Sequence, residues 1–294
     1  MHLAFVRSRS QAGLAAPDVT VEVHLGSGLP GFQVVGVSES TTRQIRGRVR
    51  SAILSSHLKW PDFNITINLA PTEQPKEGAR YDLPIALGLL VASKQLPEQS
   101  IEKREFFGEL VLDGAIYPFR GCLAAGLAAT QAGHEWGMGL PGASEVATLT
   151  AGRLIAAPDL LSLCARLRAP DPEYVPGVSS LGTDIPSYPD LSQLKGQPLL
   201  RMALEVAAAG GHHLLMTGPP GVGKTMAASV LPGLLPPMPK KTAQELRLLQ
   251  DVAGATQCGA PPFRAPHHSS SVASLMGGTA RALPGDISMA HGGV

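Results

Sequence analysis

Eight residues constrain this 294-residue chain more than any others: Gly218-Pro219-Pro220-Gly221-Val222-Gly223-Lys224-Thr225. They match G-x-x-x-x-G-K-[ST] at every fixed position. The glycines let successive backbone N–H groups turn inward onto phosphate. In that pattern Lys224 lies against the β- and γ-phosphates and the Thr225 hydroxyl holds Mg²⁺. The flanks agree. His212-His213-Leu214-Leu215-Met216-Thr217 reads as a short buried strand. Met226-Ala227-Ala228-Ser229-Val230-Leu231 reads as the start of a helix, whose N-terminal dipole favours anions. A glycine turn that binds nothing is the competing reading, and strand–loop–helix order argues against it. The expectation is ATP with Mg²⁺ at residues 218–225.

Composition narrows the rest. With 44% apolar and 16% charged residues the chain reads as globular, and 294 residues suffice for two domains. A net charge of +1 carries no global nucleic-acid signal, so such binding must come from local patches or assembly. Cys122, Cys164 and Cys258 are odd in number and widely spaced, which favours a reducing cytoplasm over a disulfide framework or zinc site. The first nine residues lack the apolar stretch of a signal peptide, and the most apolar run, residues 83–93, is too short to span a bilayer. That run is expected to be a buried helix, and no membrane partner is expected.

Residues 1–168 read as one α/β domain. Residues 20–25 alternate as a half-buried strand, and Val34-Val35-Gly36-Val37 is expected to pair with them as a hairpin across Gly26-Ser27-Gly28-Leu29-Pro30-Gly31. Ile45, Val49, Ala52 and Ile53 give residues 40–56 a helical apolar face. Residues 63–69 are the clearest strand, and residues 106–112 a further one closed by the turn Asp113-Gly114. An alanine-rich helix over 122–133 precedes two strand–helix pairs, at 138–149 and 154–167. Five prolines over 169–189 mark a stiff linker. The second domain, 190–294, opens with a helix over 198–209 ahead of the phosphate loop.

Other polar clusters are weaker signals. Arg43, Arg46, Arg48 and Arg50 suit either a phosphate backbone or a solvated helix face, and the second is favoured. His212-His213 and His267-His268 are adjacent pairs, and neighbours on a strand point to opposite faces, so neither makes a good metal site. Phe263-Arg264-Ala265-Pro266-His267-His268-Ser269-Ser270-Ser271 mixes a cation, imidazoles and hydroxyls, types that favour phosphate or subunit contact.

Taken together, these stretches resemble the ComM/YifB family of magnesium-chelatase-like AAA+ ATPases. The resemblance rests on Thr20-Val21-Glu22-Val23-His24 with Gly28-Leu29-Pro30-Gly31, on Arg48-Val49-Arg50-Ser51-Ala52-Ile53, and on Ile65-Thr66-Ile67-Asn68-Leu69-Ala70-Pro71. It continues through Pro75-Lys76-Glu77-Gly78 and Tyr81-Asp82-Leu83-Pro84-Ile85-Ala86, then Ala207-Ala208-Ala209-Gly210-Gly211-His212 and the phosphate loop. It ends on the residues from Phe263 to Ser269 and on Pro284-Gly285-Asp286-Ile287-Ser288-Met289-Ala290-His291. It implies a Lon-protease-like (ribosomal S5-like) α/β front domain, followed by a P-loop AAA+ module that forms homo-hexamers on DNA. It implies ATP-driven branch migration and helicase activity on single-stranded or branched DNA during natural transformation.

Two departures qualify it. The Lon-type serine would fall at Arg80 and its lysine partner near Leu123, and neither residue can serve a Ser–Lys dyad. The front domain is therefore expected to be a protease fold without protease chemistry. The family also continues past Val294 into the acidic Walker B strand, so these residues alone are expected to hydrolyse ATP poorly or not at all. The competing expectations are a magnesium-chelatase-type ATPase subunit and a non-enzymatic nucleotide-binding remnant.

Overall fold

The strand that opens the fold is one that hydrophobicity alone conceals. In the computed structural model β1 (His2–Arg9) buries Ala4 and Val6 on one face, while Leu3 and Phe5 on the other are 46% and 54% exposed. Both faces are apolar in sequence, so no period of two stands out. The structure describes residues 2–71, 79–177, 187–255, 259–278 and 283–294. They fall into two compact units, Met1–Leu181 and Gly182–Val294.

In the first unit β1 pairs antiparallel with β2 (Asp18–Gly26), and β2 pairs antiparallel with β4 (Asn64–Ala70). β3 (Gly31–Val35) lies parallel to β4 and forms the sheet edge. The expected β2–β3 hairpin is thus corrected. The helix α1 (Glu39–Ser55) makes a crossover that brings β4 in between, where its alternating Ile65, Ile67 and Leu69 are buried. Beyond β1 the sheet continues in parallel through β5 (Arg104–Phe106), β8 (Glu135–Gly139) and β9 (Leu154–Ala157), giving the order β3-β4-β2-β1-β5-β8-β9. The predicted strand over 106–112 is instead two short ones, because the chain leaves the main sheet after β5. β6 (Glu109–Leu110) then pairs with β7 (Ile116–Tyr117) in a hairpin, closed as expected around Gly114 at φ +95°.

Helices cover this sheet. α1 starts at Ser38, whose hydroxyl accepts from the Thr41 N–H at 3.2 Å. It buries Ile45, Val49, Ala52 and Ile53, the four residues its spacing selects. α2 (Asp82–Ala92) is buried along its whole length, as its run of apolar residues requires. α3 (Cys122–Gln131), α4 (Ala143–Thr150) and α5 (Leu160–Arg168) follow. At the middle of the sheet the buried Arg9 donates to both oxygens of Glu105, at 2.6 and 2.7 Å, and also pairs with Asp18.

The start of the proline-rich segment is tied to this unit. The Val175 N–H donates to the Leu154 carbonyl at 2.8 Å, and the Tyr174 hydroxyl donates to Glu135 at 2.7 Å beneath the Arg153 guanidinium. Residues 178–186 of that segment lie outside the described residues.

The second unit contains α6 (Pro198–Gly210), α7 (Lys224–Leu234), α8 (Lys240–Ala253), α9 (Val272–Met276) and α10 (Asp286–Met289). Leu194, Leu204, Ala227 and Val230 form the cluster beneath the phosphate loop, joined by Leu200, Leu214, Met216 and Leu231. Among the described residues no helix is long and apolar enough to cross a membrane. The two units are mixed α/β and P-loop-like respectively, the fold class that the residues pointed to.

Candidate nucleotide-binding site

α7 begins at Lys224, directly after Gly223 at φ +90°, with Gly221 at φ +86° two residues before. Both angles lie in the left-handed region, where a Cβ is strained. Nothing stands within 4 Å of a Cβ placed on either glycine. Backbone conformation, rather than crowding, therefore demands glycine here, and residues 218–222 are exposed ahead of the helix. The Lys224 ammonium sits in that loop, donating to the carbonyls of Gly218 at 2.7 Å and Pro219 at 2.8 Å. Thr225 follows, exposed in the first turn of α7. Gly218, Pro219, Pro220, Gly221, Val222 and Gly223 thus wrap one helix N-terminus, with a cation already turned into the loop. That set fits a nucleotide polyphosphate: backbone N–H groups and Lys224 for the phosphates, and the Thr225 hydroxyl for Mg²⁺.

The helix is held under the loop by one face. Ala227 and Val230 are fully buried against Leu204 of α6. On the incoming side, residues 212–217 keep the alternation of a strand: Leu214 and Met216 pack against the cluster, and Leu215 is 88% exposed. The expected strand is nonetheless not formed. A strand exists only through a hydrogen-bonded neighbour, and among the described residues none pairs with this segment. Gln197, just before α6, reaches the loop from outside, its side-chain amide donating to the Val222 carbonyl at 3.2 Å. Nothing in local sequence marks that contact across 25 positions.

The remaining candidates are placed elsewhere. Within residues 263–271 the His267 and His268 rings lie 4.1 Å apart, and His267 Nδ1 is 2.6 Å from the Ser269 hydroxyl. Arg264 is fixed by its backbone, which donates to Val294 at 2.8 Å. Of the four arginines on α1, Arg43 pairs with Glu39 at 3.1 Å. Arg48 grips Asp82 through two bonds, of 2.6 and 3.1 Å. Burial raises the Asp82 carboxyl to about 6, against the opposing pull of Arg48, while the Asp82 bond raises Arg48 further.

Arg80 is the residue expected in place of a Lon-type serine. Its guanidinium lies 4.7 Å from the Phe119 ring centre, with Nη2 donating to Gln11 at 2.6 Å and to the Arg120 carbonyl at 3.4 Å. Leu123, expected in place of the lysine partner, is buried in α3. The turn at 75–78 and Cys258 lie outside the described residues, while Cys122 and Cys164 are buried thiols.

Comparison with known proteins agrees with both units. The family model described as magnesium chelatase, subunit ChlI, matches residues 190–294, and one described as subunit ChlI of Mg-chelatase matches residues 21–138. The competence protein ComM of Haemophilus influenzae is 41% identical over 302 residues, covering 100% of this chain. The YifB proteins of Escherichia coli K12 and Salmonella typhimurium LT2 are each 41% identical over 298 residues, again with full coverage. The chain spans 59% of the length of each of these relatives. With such similarity running through both units, the chain belongs to the ComM/YifB family.

Proposed function

We propose that residues 218–225 bind ATP with Mg²⁺, and that the protein is the nucleotide-binding part of an AAA+ motor of the ComM kind acting on DNA. One observation carries the first half. Lys224 and two left-handed glycines form a loop open to solvent at the start of α7. Bound Mg²⁺ would neutralise phosphate charge, while the chain's own part is to orient the phosphates with backbone N–H groups, Lys224 and Thr225. The second half draws on family membership. The DNA work proposed is branch migration or unwinding of single-stranded or branched substrates by a homo-hexamer of the whole protein.

Binding of a fluorescent ATP analogue with Mg²⁺ tests the site. Lys224→Ala should weaken it about 10- to 100-fold, the size of a lost hydrogen bond between charged partners. Equal affinity in the variant would refute the assignment. DNA-stimulated ATP turnover by the full reading frame tests the motor. The magnesium-chelatase model that matches residues 190–294 favours a second reading, a motor for metal insertion into a porphyrin. Turnover that responds to a porphyrin and a large partner subunit, and not to DNA, would select it.

A further inference from the structure

We propose that Gln197 is a positioning residue that clamps the outgoing limb of the phosphate loop and thereby sets its affinity for a triphosphate. This rests on the nucleotide reading of residues 218–225. Gln197 adopts φ +49° and ψ +56°, a left-handed conformation that non-glycine residues seldom take, directly after Gly196 at φ +73°. Glycine would suit that backbone better. The residue also precedes a helix, where Ser, Asp or Asn would cap free N–H groups, yet Gln197 makes no side-chain capping bond. Its amide instead donates to the Val222 carbonyl. Both local uses of the position are given up for one contact with the loop.

The atom it holds explains why that contact matters. Val222 stands between Gly221 and Gly223, the two left-handed glycines, so its flanking peptide planes turn easily. Peptides are planar and trans, so the Val222 carbonyl and the Gly223 N–H point in opposite directions. Fixing the carbonyl outward, toward Gln197, aims the Gly223 N–H away from Gln197 and toward the loop's other side. The incoming limb is held differently, by Lys224 on Gly218 and Pro219, a tether that must open when phosphate takes the ammonium. Gln197 is a hold that need not open. It keeps a donor aimed while Lys224 changes partners, which is preorganisation of the site.

The test uses the 294-residue chain, the methylanthraniloyl derivative of ATP with Mg²⁺, and thermal unfolding. Gln197→Gly removes the clamp and relaxes the backbone. It should lower affinity about 3- to 10-fold, the worth of one hydrogen bond, while the unfolding midpoint holds or rises. Gln197→Asn keeps an amide and tolerates the left-handed backbone but is one methylene too short, so it should match the glycine variant. Wild-type affinity in either variant overturns the clamp. So does a loss of affinity in both that is matched by a loss of thermal stability, since that is the mark of a structural residue. Lys224→Ala separates the two levels. If it loses binding while the Gln197 variants keep theirs, only the clamp fails. If it binds as the wild type does, the nucleotide reading fails and the clamp with it.

Discussion

Arg80 and Lys224 are both cations at the entrance to a helix, and they are used in opposite ways. Arg80 lies just ahead of α2, stacked on Phe119 and bonded to Gln11 and to the Arg120 carbonyl, partners 39, 69 and 40 positions away. Lys224 opens α7 and bonds to carbonyls five and six positions back in its own loop. A cation bonded to distant parts of the chain cannot let go without loosening the fold. One bonded within its own loop can exchange partners at little cost. Arg80 is thus held as part of the fold, while the loop at residues 218–225 is largely exposed and holds its own cation.

That contrast predicts a crossed pattern: charge changes in the first unit should alter stability and spare nucleotide binding, and changes in the loop should do the reverse. Both tryptophans, Trp60 and Trp136, belong to the first unit, so their fluorescence follows its unfolding. The largest effect is expected for Arg48→Ala. It strands the buried Asp82 carboxylate and should cost about 3 kcal/mol in urea unfolding, with affinity for the ATP analogue unchanged. Loss of nucleotide binding in that variant would break the comparison.

Next comes pH. The folded-state value of Asp82, about 6, lies above its ordinary 3.8, so the folded state holds this proton more tightly than the unfolded chain. The stabilisation is therefore complete below pH 3.8 and is lost as pH rises through about 6, by about 2–3 kcal/mol. Stability of Asp82→Asn relative to wild type should rise over the same window, and a flat difference would show that Arg48 cancels the cost of burial. Gly223→Ala should follow, weakening nucleotide binding by about 1 kcal/mol through left-handed strain and leaving the tryptophan transition in place. The smallest change is expected for Arg80→Ala, about 1 kcal/mol of stability for the cation–π contact with Phe119 and the bonds to Gln11 and the Arg120 carbonyl at a partly exposed site, with nucleotide affinity unaltered.

What could be read from the residues was whatever repeats or keeps a fixed spacing. The phosphate loop is eight consecutive residues, and the buried face of α1 follows from Ile45, Val49, Ala52 and Ile53 alone. Contacts between distant residues were out of reach. β4 enters between β2 and β3, which no property of either strand announces. Leu3 and Phe5 are as apolar as their buried neighbours Ala4 and Val6, so β1 carries no alternation to detect. Residues 212–217 have the right pattern for a strand, but a pattern supplies no pairing partner. Arg48 finds Asp82 across 34 positions, which turned one arginine of an apparent basic face into the half-buried partner of a buried carboxylate.

The Val175 N–H bonded to Leu154 has a practical consequence for anyone dissecting the protein. β9 is the last strand of its sheet, and its outer side is where a second copy could add its own strand. The returning chain covers the start of that side, with Tyr174 bonded to Glu135 and Arg153 beside it. A fragment cut at Arg168 discards that cover and offers an open edge to its own copies. One that runs through residue 177 keeps the start of that edge covered and is the piece that should self-associate less.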